Sequence, residues 1–168
     1  AGAITLDEAR EILAHFWLKG TEWSGAREVT SGDAQYYQNV ILSGVDAEGQ
    51  DVTNEVTYLI LDIVEELLIS DYPIAVRISS RTPERLLRRM AEVERRGGGI
   101  VAMYNEEMVI RALTRFGYPP EVARTFANDG CWEVLIPGAT AFGYVPFDAL
   151  RLLQEALGVT DPAAKHRG

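Results

Sequence analysis

Hydrophobic positions change their period several times along the chain, and each change marks an element. "TLDE", Thr5 to Glu8, sets a hydroxyl at an N-cap and a carboxylate three residues on, ahead of apolar positions at helical spacing. That pattern predicts a helix from about Leu6 to Lys19, closed by Gly20. "TEWSGAREVTSGDAQYY" keeps no period and reads as a loop, and "QNVILSG" is β-rich between polar and glycine punctuation. From about Asn54 to Leu68 the chain is apolar on most faces, which predicts a buried helix rather than a surface one. "YPIAVRIS" and "IVAMY" read as further strands. They flank "RTPERLLRRMAEVERRGGG", a helix with Thr82 as N-cap, Pro83 at its first position and glycines at its end. Two short helices, "NEEMVIRALTRFG" and "PPEVARTFAN", lead to a turn-like segment with a doubtful fourth strand at "EVLI", and a last helix runs from about Pro146 to Leu157.

Strands alternating with helices predict an α/β fold, free of internal repeats and Pro/Ser-rich linkers. So small a sheet leaves more apolar surface than it can cover. The 168 residues are therefore expected to form part of a larger domain.

Composition narrows the function. The formal net charge is −9; although Arg85, Arg88, Arg89, Arg95 and Arg96 cluster, acidic residues dominate elsewhere, so a nucleic-acid-tracking surface is not expected. The longest apolar run, "YLILDIV", is interrupted by Asp62 and falls far short of the roughly 20 residues of a membrane span. "AGAITLDEAREIL" has no signal-peptide pattern. With a single cysteine there is no disulfide framework and no zinc spacing, so the expectation is a cytoplasmic protein without a metal.

That cysteine sits in "FANDGCWEVLIPG". A lone cysteine is most often a small core residue, but Asn128, Asp129 and Gly130 are turn formers and suit a presented thiol. On an extended segment Glu133, at i+2, would project to the same side as Cys131, with Trp132 facing away. A two-electron thiolate enzyme is hindered by an adjacent carboxylate and wants a basic partner. The histidines, His15 in the first helix and His166 in the tail, are poorly placed for that. One-electron chemistry fits better: sulfur removes hydrogen from carbon while the carboxyl handles a proton.

Of the remaining polar positions, Arg77 reads first as a structural ion pair, Asp51, Asn54 and Glu55 as a helix cap, and "RRGGG" as a helix end rather than a phosphate loop. Tyr36 and Tyr37 are candidate pocket-wall residues in the long loop.

At this point the sequence resembles the glycyl radical enzymes, specifically their large barrel domain related to pyruvate formate-lyase. The resemblance lies in "GVDAEGQDVTNEVTYLILD", "PIAVRISSRTPERLLRRMAEV", "GGGIVAMYNEEMVIRALTRFGY" and "DGCWEVLIPG", in that order, and covers about Leu6 to Leu157. It implies a partial α/β barrel within a single barrel domain spanning residues 1–168, Cys131 as the thiyl radical site and Glu133 as the acid/base residue of a carbon-heteroatom lyase or dehydratase. Trp132 is its substrate-binding candidate, and Tyr104, on the turn after the third strand, is a second one read from the residues themselves, equally open to a structural role. Gly130 stands where pyruvate formate-lyase has a second cysteine, so an acyl-transfer relay is not supported, although a formate acetyltransferase-type member stays an alternative, as does a non-catalytic module on the same fold. Asn105, Glu106 and Glu107 replace the usual Asn-Asp-Glu run, and Trp132 replaces a smaller aliphatic residue.

The Arg-Val-x-Gly-Tyr segment that carries the family's glycyl radical has no counterpart here; "FGYV" at 142–145 lacks the Arg-Val lead. The resemblance therefore implies that the cofactor radical comes from elsewhere in a longer protein and that this chain alone is inactive. Implied partners are a small-molecule substrate, a radical S-adenosylmethionine activating enzyme and a second copy of the parent, with neither nucleic acid nor membrane.

Overall fold

A computed structural model of the chain describes residues 2–21, 39–69, 73–97, 101–141 and 147–159. The long tyrosine-bearing loop, "FGYV" and His166 lie outside these residues. The elements are α1 (Leu6–Thr21), β1 (Val40–Ser43), α2 (Glu55–Leu67), β2 (Ile74–Ile78), α3 (Glu84–Glu94), β3 (Val101–Asn105), α4 (Glu106–Arg115), α5 (Pro120–Ala123), β4 (Ala127–Asn128), β5 (Val134–Leu135) and α6 (Ala149–Ala156).

The three longer strands form a parallel sheet in the order β1-β2-β3. β2 is central, and Ile74, Ala75 and Val76 are fully buried, which is why its sequence runs apolar instead of alternating. β3, an edge strand, alternates from buried Val101 to exposed Met103. α2 and α3 pack side by side, with α1 against α2. Their apolar faces close one core around Trp17, Tyr58, Leu61, Val64, Leu86 and Met90.

The capping box of α1 is present, with Thr5 N–H donating to Glu8 and Glu8 N–H to Thr5 Oγ1, which holds the Glu8 carboxyl below its ordinary range. Asn54 caps α2 through a second box with Thr57, which fits the cap reading of that segment. Several boundaries differ from the sequence reading, α5 and α6 being shorter than expected. α1 runs through Gly20 to Thr21. Pro83, not Thr82, stands at the start of α3; Thr82 is buried, and its hydroxyl accepts the Ser79 N–H at 2.8 Å to close the preceding turn. Gly97, at φ +75°, ends α3 as a glycine that follows a helix.

The basic residues of α3 face acidic ones. Arg85 pairs with Glu55, Arg88 with Glu84, Arg96 with Glu65, and Arg89 with Asp62, Glu65 and Glu92. This cluster ties α2 to α3. No helix among the described residues is long and apolar enough to cross a membrane.

Candidate active site

The segment after α5 folds into a small antiparallel hairpin, β4 against β5, in which Ala127 faces Leu135 and Asn128 faces Val134. "EVLI" thus does contribute a strand, and its partner corrects the helix expected over "PPEVARTFAN": α5 stops at Ala123, and Ala127–Asn128 turn extended to pair with Val134–Leu135. Its base is buried through Phe126, Asn128 and Ile136, and its tip is exposed.

The tip is a three-residue loop. Asp129 N–H donates to the Glu133 carbonyl and Trp132 N–H to the Asp129 carbonyl, leaving Gly130, Cys131 and Trp132 to make the reversal. Such loops end on a residue in the left-handed region, normally glycine. Here that residue is Trp132, at φ +75°, and not Gly130. The extended arrangement expected for Cys131 and Glu133 is therefore corrected: the turn, not strand alternation, brings thiol and carboxyl together.

Asp129 organises this loop. Its Oδ1 accepts the Cys131 N–H and the Glu133 N–H, each at 3.0 Å. Donor atoms of Asp129, Cys131 and Glu133 all lie within 4.8 Å of one another. The three could approach a cation, but exposed acidic groups take this arrangement without one. The hydrogen bond that the protonated Glu133 carboxyl donates to Asp129 raises it above its ordinary range, since two neighbouring carboxyls bond well only with a proton between them. Cys131 is exposed, which fits a presented thiol rather than a core one.

Tyr104 reaches the hairpin from β3. Its hydroxyl donates to the Trp132 carbonyl at 2.7 Å. Burial, with the charges of Asp129 and Glu133 behind it, pushes the Tyr104 phenol up. The polar atom of Tyr104 is thus engaged with the loop, and the exposed ring of Trp132 is the neighbouring apolar surface. His15 sits on α1, exposed and beside Glu11.

Asn105, Glu106 and Glu107 take structural positions. Asn105 caps α4 by accepting the Met108 N–H, and Glu107 accepts the Ser80 N–H at 2.6 Å, which lowers its carboxyl. Glu106 is 1% exposed and pairs with Arg77, as the ion-pair reading of that arginine anticipates. Sequence reasoning missed Asp129 as the loop's organiser, although an Asp preceding Gly-Cys is an Asx-turn signal. A cleft of about 410 Å³ beyond β2 and β3, lined by Ser79, Arg81, Glu106, Glu107 and Arg111 among others, does not include Cys131 or Glu133.

A parallel three-stranded α/β layer thus carries a thiol and a carboxyl on one exposed loop, and known proteins share this arrangement of sequence and fold. The sequence profile of the family described as "Pyruvate formate lyase-like" matches residues 1–157, and the chain belongs to that family. It is 32% identical to the trans-4-hydroxy-L-proline dehydratase of Clostridioides difficile over 146 residues, 84% of this chain and 18% of the relative. To the isethionate sulfite-lyase of Nitratidesulfovibrio vulgaris it is 31% identical over 157 residues, 88% of this chain and 19% of the relative. The glycerol-bound form of the B12-independent glycerol dehydratase from Clostridium butyricum superposes with a TM-score of 0.72 at 35% identity, over 82% of this chain and 18% of that one. The α/β fold is thus that of the glycyl radical enzymes over most of its length, and the chain spans about a fifth of the relatives it matches.

Proposed function

We propose that this chain is the cysteine-loop portion of a glycyl radical lyase or dehydratase, in which Cys131 and Glu133 are the catalytic residues. The observation that supports this most directly is the convergence of the Cys131 thiol and the Glu133 carboxyl on one exposed loop, in a chain whose named relatives are dehydratases and lyases. The residues present fit the family's radical, since the Cys131 thiol is exposed at the loop tip. A glycyl radical on another segment of a longer polypeptide would supply the unpaired electron by taking the thiol's hydrogen atom.

Cys131 then takes a hydrogen atom from a carbon bearing a hydroxyl: the S–H bond forms, the C–H bond breaks and the unpaired electron stays on carbon. That radical acidifies the hydroxyl, and Glu133 accepts its proton as the leaving group on the neighbouring carbon departs with the bonding electron pair. The product radical takes the hydrogen atom back from Cys131. Proton transfer of this kind contributes about 10²- to 10⁴-fold in rate. Glu133 returns its proton to the departing group, so no external oxidant or reductant is consumed. We assign the exposed Trp132 ring to the pocket wall. The reading extends to a cytoplasmic, oxygen-sensitive parent that acts as a homodimer on a small molecule and is loaded by a radical S-adenosylmethionine activating enzyme. In it this chain forms part of one barrel domain and is inactive alone.

In the full-length protein, activated anaerobically, Cys131→Ala should abolish turnover while the glycyl radical stays visible by electron paramagnetic resonance. Surviving turnover would sink the assignment. Glu133→Gln should slow elimination while hydrogen abstraction from substrate persists.

A further inference from the structure

The cysteine hairpin is held by one row of the parallel sheet. In register, Ser43 of β1 lies beside Arg77 of β2, and Arg77 beside Tyr104 of β3. Residues paired in a parallel sheet project to the same face, so Arg77 and Tyr104 rise side by side beneath the same target. Arg77 meets the root of the hairpin. Its Nη1 donates to the Phe126 carbonyl at 3.1 Å and its Nη2 to the Arg124 carbonyl at 2.6 Å, immediately ahead of β4. Its guanidinium also lies 4.0 Å from the centroid of the Phe126 ring. Tyr104 meets the tip, through the Trp132 carbonyl.

The arrangement is costly for a device that served only stability. Arg77 is 7% exposed, its ion pair with Glu106 is buried, and Arg77 Nε and Glu106 Oε2 have no hydrogen-bond partner among the described residues. A buried pair of this kind is often replaced by apolar side chains without loss of stability. The chain also makes room for it: Gly44, at φ +99°, leaves space where a Cβ would lie 2.8 Å from Arg77 Nε. Glu106 in turn accepts the Val45 N–H, so the pair is anchored to the end of β1 as well.

We propose that Arg77 and Tyr104 are positioning residues that dock the cysteine hairpin onto the sheet, Arg77 fixing its root and Tyr104 its tip. The proposal deepens the reading of Cys131 and Glu133 as catalytic and rests on it for its functional meaning. Arg77 acts through its planar fork, which spans two carbonyls and a carboxylate at once, a set of contacts that a lysine cannot reproduce.

The test compares local with global effects in the chain itself. Tyr104→Phe removes one hydrogen bond and keeps the ring. Arg77→Met combined with Glu106→Gln removes both charges together, so that neither is stranded, and keeps an acceptor for the Val45 N–H. Amide hydrogen exchange at Asp129, Trp132 and Glu133 should accelerate roughly fivefold in the first variant and tenfold or more in the second. Amides of α2 and β2 should follow only the change in global stability. Native-state alkylation of Cys131 should change rate in the same order of variants. Equal acceleration at all amides, or unchanged protection in the hairpin, would overturn the proposal. The readout is independent of turnover: a Cys131→Ala protein that stays active removes the catalytic reading, whereas an unresponsive hairpin removes this one alone.

Discussion

The layer built by α2, β2 and α3 and the hairpin built by β4 and β5 place their charges and side chains by different rules. In the first, apolar side chains from three elements meet in one core, while the charges of α2 and α3 meet at its outer surface. In the second, two residues pair with two across a tip that exposes a cysteine, a tryptophan and a glutamate. Area buried decides the first, whereas the hairpin depends on a handful of hydrogen bonds, accepted by the Asp129 carboxylate and donated by Arg77, Tyr104 and Asn39, whose side-chain amide reaches the Asp129 carbonyl. The contrast teaches that the packed layer supplies position while the loop presents a thiol and a carboxyl to solvent, so that, on the proposed reading, chemistry sits where little burial is at stake.

The sharpest way to break that contrast is through the core. Leu61 is 0% exposed in the middle of α2, so Leu61→Ala should cost about 3 kcal/mol, read as a lower urea midpoint with little change in slope. A loss under about 1 kcal/mol would mean that the layer is not packed as described. Next in size is Gly44→Ala, which imposes a positive φ on a residue with a Cβ and drives it toward the Arg77 guanidinium. About 2 kcal/mol is expected, accompanied by faster exchange in the hairpin because the displaced group is its root anchor.

How much of this was legible in the sequence follows the same division. β2 and α2 were readable because burial on both faces, or on most of a helix, writes itself as an apolar run, and Asn54 and Thr5 carry their caps in plain view. That the Cys131 thiol and the Glu133 carboxyl come together was legible, but the turn that brings them there was not. Period-2 alternation assumes an extended chain, and it cannot register a three-residue reversal whose left-handed position holds a tryptophan instead of glycine. Thr82 misled for a related reason: its hydroxyl serves a turn two residues before α3, and hydroxyls in turns and at helix starts look alike in one dimension. The row joining Arg77 to Tyr104 was beyond reach, because register between strands separated by a helix is a tertiary fact.

Trp132 sharpens the comparison in the opposite direction from Leu61. The left-handed conformation costs a residue with a Cβ about 1–2 kcal/mol, of which glycine gives back part through its own flexibility in the unfolded chain. Trp132→Gly should therefore stabilise the chain by roughly 0.5–1 kcal/mol in a urea titration. If the substitution instead destabilised the chain, the exposed indole would have to be packing against the fold, and its assignment to a pocket wall would fail.

The smallest effect is a matter of protons. Glu133 is exposed, yet its hydrogen bond with Asp129 holds it protonated to a higher pH than an isolated glutamate. Between the ordinary glutamate value and that raised one, the folded chain binds more protons than the unfolded chain, so this pair's contribution to stability falls as pH rises through the window. Asp129→Asn keeps an oxygen for the Cys131 and Glu133 N–H groups and removes the charge. The Glu133 titration, followed by carbon NMR of its carboxyl, should then move down toward the ordinary value while the loop stays folded. An unmoved titration would show that the Asp129 carboxylate is not what holds the proton, and a lowered one with intact loop amides would separate the two tasks of Asp129, fixing the backbone of the tip and setting the charge of its acid.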